Sequence, residues 1–169
     1  MSSASITIRD ATARDFDIIL ALNAESVQFL SPLDAARLQR LHAQAAYHRV
    51  AEIDGAMAAF LLAFREGTDY DSPNYRWFVA AYPRFLYIDR VVVSIAARGI
   101  GLGARLYSDI LAFAESTRCE RVTCEFDLEP PNPVSAAFHA RFGFREVGRQ
   151  WVGSAKQKQV SLQERPLAA

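Results

Sequence analysis

The stretch from Arg90 to Ser116, RVVVSIAARGIGLGARLYSDILAFAES, constrains the fold of this chain more than any other. β-Branched residues run into a glycine-punctuated loop, after which Leu102, Leu106, Ile110 and Phe113 recur at helical spacing on one stripe. A strand, a glycine loop and a helix in immediate succession point to a phosphate at the helix N-terminus, where amide hydrogens lack intrahelical acceptors. The same order implies a parallel strand pair, because the crossover helix returns the chain to the sheet it left.

The flanking segments supply the rest of the sheet. "ITIRD" alternates as a first strand, and the helix after it opens on Thr12 and Asp15 as a capping box and places Phe16, Ile19, Leu20, Asn23 and Val27 near one face. A second helix is expected from "SPLDAARLQRLHAQA", with Ser31 as cap, Pro32 in the first position and Asp34 at the positive helix end. Two strands meet at Asp54-Gly55, a hairpin signal. Gly67 to Pro83 loses periodicity and reads as a long binding loop or a dimer contact. "FLYIDRVVV" reads as a strand buried on both faces, and "RVTCEFDLE" as the next strand. "PPNPVSAAFHARFG" is a short helix ended by Gly143, and a hairpin around Gly153-Ser154 completes the chain. The expected class is α+β, a mixed α/β sheet with helices on both faces in the order β-α-α-β-β-β-α-β-α-β-β. At 169 residues the chain fits one domain, 1–169, with residues 1–5 flexible.

Charge and cysteine content narrow the function. Lys plus Arg equals Asp plus Glu, 19 against 19, and no like-charge block suits a nucleic-acid backbone or an anionic membrane. The N-terminal residues carry no export signal and no segment has the apolar length of a membrane span, so a cytoplasmic protein is expected. Cys119 and Cys124 lack metal-ligand spacing and read as reduced core thiols, and no metal is expected.

Gly99-Ile100-Gly101-Leu102-Gly103-Ala104 can be fitted to a dinucleotide-binding pattern. That reading places the strand directly against the first glycine at the start of the chain, whereas Ser94 to Arg98 intervene here and the motif lies past mid-chain. "VVVSIAARGIGLG" instead resembles the signature of the GNAT superfamily of acyl-CoA-dependent N-acetyltransferases, with Arg98, Gly101 and Gly103 in the defining positions and Gly99 in a common variant one. "NPVSAAFHARFGF" is similar to the family's later block, and the order of elements fits from Ile6 to the last strand. The chain looks most like bacterial members with Tyr-Ile-Asp-Arg on the central strand and Pro-Pro-Asn-Pro before the later helix. Two positions depart: Ile95 stands where many members have proline, and His139 where a catalytic tyrosine is frequent.

The resemblance implies acetyl-CoA as cosubstrate and a primary amine of a small molecule or peptide as acceptor, attacked directly. It implies that Val91, Val92 and Val93 pair with the pantetheine arm and that Arg98, Gly99, Ile100, Gly101, Leu102, Gly103 and Ala104 hold the phosphates. It further implies that Asn132, Phe138 and His139 lie along the cofactor. Asp89 interrupts an apolar strand and is the candidate general base or amine-positioning group; Arg90, on the opposite face, is poorly placed to pair with it. His139 is the candidate acid for the leaving thiolate. Tyr75, Trp77, Asp89 and Glu125 are the acceptor candidates, with Asp127 an alternative acid, since aromatic faces and carboxylates suit a cationic amine. A CoA-binding sensor or interaction module with a degenerate acceptor site is the competing class.

Overall fold

The computed structural model describes residues 4–155 and 157–168. The elements are β1 (Ile6–Asp10), α1 (Phe16–Ala24), α2 (Ala35–Gln44), β2 (Tyr47–Ile53), β3 (Ala56–Arg65), α3 (Pro73–Ala81), β4 (Leu86–Val93), α4 (Leu102–Ser116), β5 (Arg121–Glu129), α5 (Pro133–Arg141), β6 (Arg145–Val152) and β7 (Lys158–Pro166). Short 3-10 turns occupy Ala13–Asp15 and Ile95–Ala97. The seven strands form a mixed sheet in the order β1-β2-β3-β4-β5-β7-β6, parallel at Leu86↔Val122 and Tyr87↔Thr123 of β4 and β5. The chain divides into two compact units, Met1–Phe64 with Ile88–Ile110, and Arg65–Tyr87 with Leu111–Ala169.

In the first unit β1, β2 and β3 form an antiparallel meander. The Asp54-Gly55 hairpin forms as its sequence requires, both residues taking positive φ (49° and 82°), the pair of values a type I′ turn needs. Asp54 also accepts from the Ser5 amide at 2.8 Å, while residues 1–3 of the expected flexible terminus lie outside the described residues. The Thr12–Asp15 cap is present: the Asp15 carboxylate accepts from the Thr12 amide at 2.7 Å and from both Arg9 terminal nitrogens at 2.9 Å. That fork holds the Asp15 carboxyl down at about 2. Ile19, Leu22, Leu38, Val50, Phe60 and Val92 make the core.

Two expectations fail here. Val27 lies beyond the end of α1 and is half exposed. The second helix is capped by Asp34, whose carboxylate accepts from the Arg37 amide at 2.7 Å, and not by Ser31. The Ser31 carbonyl, which in an N-cap would accept the first intrahelical bond, is taken by the Asn23 and Arg90 side chains.

In the second unit β7 lies between β5 and β6, and its residues Val160 to Glu164 are buried. Glu164 is 3% exposed and accepts from Arg121 and from Arg145, each at 2.8 Å, while the Arg121 guanidinium stacks 3.9 Å over the Tyr82 ring. The segment expected as a loop contains α3. Ser72 caps it by accepting from the Tyr75 amide at 3.4 Å, Pro73 takes the first turn, and Pro83 follows its end. Tyr75, Phe78, Phe85 and Tyr87 then pack as one aromatic cluster with ring centroids 5.6 to 6.3 Å apart. The 67–83 segment loses periodicity because aromatic and polar residues alternate along so short a helix.

α2 and β2 meet through two histidines, whose Nδ1 atoms lie 2.8 Å apart, His42 against Phe16 and His48 against Phe60. Burial lowers the His48 imidazole to about 4 from 6.5, so the unfolded chain takes up this proton before the folded one does. Stability is therefore complete above pH 6.5 and declines as pH falls toward 4; burial shifts His139 in the same direction. Urea midpoints measured across that window should fall for the parent by a loss on the order of 3 kcal/mol from His48. His48→Phe should flatten the slope, and an unchanged slope would contradict the assignment.

Candidate active site

The phosphate-binding candidate is built at the junction of β4 and α4 in the first unit. The Ser94 amide bonds to the Ala58 carbonyl at 2.8 Å and the Ile95 amide to a Glu25 carboxylate oxygen at 3.0 Å, fixing the start of the turn. Gly99 and Gly101 then adopt φ of 83° and 88° with open space where a Cβ would stand, so the backbone conformation, not crowding, requires glycine. Gly103 differs, lying inside the first turn of α4. The Gly101 carbonyl accepts the Arg105 amide at 3.0 Å, which makes Gly101 the residue on which α4 begins. The amides of Leu102, Gly103 and Ala104 therefore precede any intrahelical acceptor. The Arg98 side chain is exposed and has no hydrogen bond among the described residues. Ile95 and Ile100 are exposed at 60% and 51%, so the Ile95 departure leaves a free apolar side chain at the mouth of the loop.

β4 is buried on both faces only through Ile88. Beyond it Asp89, Val91 and Val93 are half-buried and alternate with buried Arg90 and Val92. Arg90, expected to be poorly placed for Asp89, does approach it: Nε lies 3.3 Å from Asp89 Oδ2 with both side chains buried, an ion pair outside hydrogen-bond geometry. The guanidinium is long enough to fold back along the strand.

The remaining candidates belong to the second unit. Tyr87 donates its hydroxyl to Glu125 at 2.9 Å, joining β4 to β5. Tyr75 is 1% exposed, donates its hydroxyl to the Arg65 carbonyl at 2.7 Å and accepts from the Thr68 amide at 3.0 Å. Such a residue is a core anchor and not the pocket wall expected of it. Trp77 is half-buried against β6, where a Cβ on Gly148 would come within 2.6 Å of its ring. Asn132 caps α5 by accepting from the Ser135 amide at 3.2 Å, and Pro133 follows it in the first turn.

His139 is 4% exposed, stacked on Phe126 and edge-on to Phe138 and Phe144. Its Nδ1 lies 2.7 Å from the Ser135 carbonyl, which can only accept, so Nδ1 carries the hydrogen. Burial lowers the imidazole pKa, opposed only in part by that bond. With its hydrogen on Nδ1, the neutral ring presents a lone pair at Nε2, and the lowered pKa argues against the expected role of catalytic acid.

Two contacts have no counterpart in the sequence reading, the Tyr87–Glu125 bond and the Asp127–Lys158 ion pair. In the latter Lys158 Nζ lies 3.0 Å from Asp127 Oδ2. Burial pushes the Asp127 carboxyl up and the ammonium draws it back. The alternation Tyr87-x-Asp89 and Glu125-x-Asp127 was the available signal, but the pairing across strands depends on register.

The family model for the GNAT acetyltransferases matches residues 12–144. The chain belongs to the GNAT acetyltransferase family. As a GNAT protein it is an acyl-CoA-dependent acetyltransferase. Among solved structures it is similar to Ard1 from Thermoplasma volcanium at 15% identity, covering 97% of this chain and 99% of that one with a TM-score of 0.77. It is also similar to a putative phosphinothricin N-acetyltransferase, at 22% identity, 98% and 100% coverage and a TM-score of 0.76. A third likeness is Naa50 from Arabidopsis thaliana, in complex with the bisubstrate analogue CoA-Ac-MVNAL, at 14% identity, 96% and 99% coverage and a TM-score of 0.72. At these identities the likeness establishes the GNAT fold. No curated protein matches by sequence. Among the described residues no helix is long and apolar enough to cross a membrane, and no group of three or more His, Cys, Asp or Glu is placed to hold a metal ion.

The seat of Trp77 can be tested. Gly148→Ala should destabilise the protein by about 1–3 kcal/mol through overpacking. Trp77→Leu in the same chain should restore most of the loss, measured as denaturant midpoints, and additive losses would show that the indole does not rest on Gly148.

Proposed function

We propose that this GNAT protein transfers an acetyl group from acetyl-CoA to a primary amine of a small molecule or peptide by direct attack of the amine nitrogen on the thioester carbonyl. The observation that carries the reading is the Arg98–Ala104 loop, where two left-handed glycines, an exposed arginine and the first amides of α4 converge as an anion site. Arg98 and the amides of Ile100, Leu102 and Ala104 take the phosphates, and the backbone of Val91, Val92 and Val93 takes the pantetheine arm. Asn132 keeps its Nδ2 hydrogens for the same arm, because its Oδ1 is committed to the α5 cap. Phe138 and His139 serve as apolar contacts.

Asp89 receives the ammonium and accepts its proton, and Glu125, oriented by Tyr87, is a second amine-binding carboxylate. The amine's N–C bond forms as the C–S bond breaks, and the CoA thiolate is protonated from solvent, not from His139. Direct attack is favoured because Cys119 and Cys124 are buried thiols, and burial raises Cys124 well above its ordinary value.

Release of free thiol from acetyl-CoA should be followed with an alanine-starting peptide, spermidine and phosphinothricin as acceptor probes. Arg98→Ala and Gly101→Val should each weaken acetyl-CoA binding about tenfold or more, the loss of one charge-assisted contact or of the loop conformation. Unchanged affinity in both would refute the loop assignment. Tight acetyl-CoA binding with no thiol release from any probe would favour the sensor reading, for which the lowered His139 pKa is the one supporting observation.

A further inference from the structure

Arg90 is 3% exposed in the first unit, and its hydrogen bonds are concentrated at one end of the buried guanidinium, while Nε makes only an ion-pair contact. Nη1 donates to Asn23 Oδ1 at 3.0 Å and to the Ser31 carbonyl at 2.8 Å. Asn23, itself 1% exposed, donates through Nδ2 to the same Ser31 carbonyl at 3.2 Å. These three bonds close a triangle between the last turn of α1, the segment between α1 and α2, and β4. At the other end of the fork, Nε lies 3.3 Å from Asp89 Oδ2.

The arrangement is more specific than a staple between a helix and a strand. A staple needs only the Nη1 end, which already satisfies Asn23 and Ser31. The Nε end lies beside the carboxylate, on the one polar position that the half-exposed face of β4 presents next to Val91 and Val93. Because guanidinium is planar and rigid, fixing Nη1 also fixes where Nε stands. From the neighbouring elements, β3 brings no titratable side chain between Ala56 and Phe64, and the Glu25 carboxylate after α1 accepts from the Ile95 amide.

We infer that Arg90 is a positioning residue for Asp89: anchored through Asn23 and Ser31, it sets its positive charge beside the carboxylate and holds it from its own side of the strand. The inference rests on the proposed role of Asp89 in handling the acceptor amine, and the experiment separates the two.

Arg90→Met, Arg90→Lys, Asp89→Asn and the double variant Asp89→Asn/Arg90→Met are compared, using whichever of the alanine-starting peptide, spermidine and phosphinothricin is turned over fastest. Arg90→Met should lower kcat at least tenfold with the acetyl-CoA KM within twofold of the parent, and Arg90→Lys should recover part of that loss by keeping the charge. In the Asp89→Asn background Arg90→Met should lower kcat less than threefold further, since its effect passes through the carboxylate. Multiplicative losses in the double variant, or parental kcat in Arg90→Met, would overturn the inference while leaving Asp89 in place. Parental kcat in Asp89→Asn would overturn the Asp89 reading itself, as would absence of turnover with all three amines. If Arg90→Met does not fold, Asn23→Ala, which removes one anchor and keeps the charge, replaces it in the same cycle with an expected threefold loss; multiplicative losses or parental kcat in Asn23→Ala would then overturn the inference.

Discussion

β4 meets two opposed requirements, and the rest of the molecule is arranged to allow both. Its first residues, with Phe85 ahead of them, are almost wholly excluded from water, as the interior strand of a mixed sheet must be. From Asp89 onward the strand alternates, hiding Arg90 and Val92 while Val91 and Val93 keep part of their surface. A strand buried throughout would leave no face for the cosubstrate arm proposed to lie there, and one alternating throughout would lose the apolar contact that fixes it. The transition falls on the Asp89–Arg90 pair, so the ionic residues of β4 stand where its burial changes from complete to alternating.

Most of the architecture was legible because the chain marks its own turns. Asp54-Gly55, the Thr12–Asp15 cap, the glycine loop and the Asn132-Pro133 start all act through neighbours in sequence, and each forms as read. The Ser-Pro dipeptide shows where local reading stops. At Ser72-Pro73 it opens a helix, whereas at Ser31-Pro32 the helix starts after Asp34 and the serine carbonyl serves a distant arginine. Identical local chemistry gives different outcomes because the second site is claimed by β4, which lies 59 residues away.

The site residues divide along the same line. Roles that depend on the backbone, such as positive φ at Gly99 and Gly101, follow from residue type. Roles that depend on what a side chain meets do not: Tyr75 suits a pocket wall by residue type and is a core anchor, and the His139 tautomer is decided by the Ser135 carbonyl. The Asp89–Arg90 contact escaped a rule about strand faces that holds for Cβ directions but not for the tip of a long side chain.

The His42–His48 contact has a consequence for how protons are counted in this molecule. Two facing Nδ1 atoms can share only one hydrogen while both rings are neutral. His48 Nε2 is buried and has no hydrogen-bond partner among the described residues, and a buried lone pair there is better tolerated than a buried N–H. The hydrogen therefore belongs on His48 Nδ1, with His42 accepting it and carrying its own hydrogen on Nε2. The two imidazoles form a directional pair whose tautomers are set jointly, so a substitution at either ring also changes the chemical identity of the other.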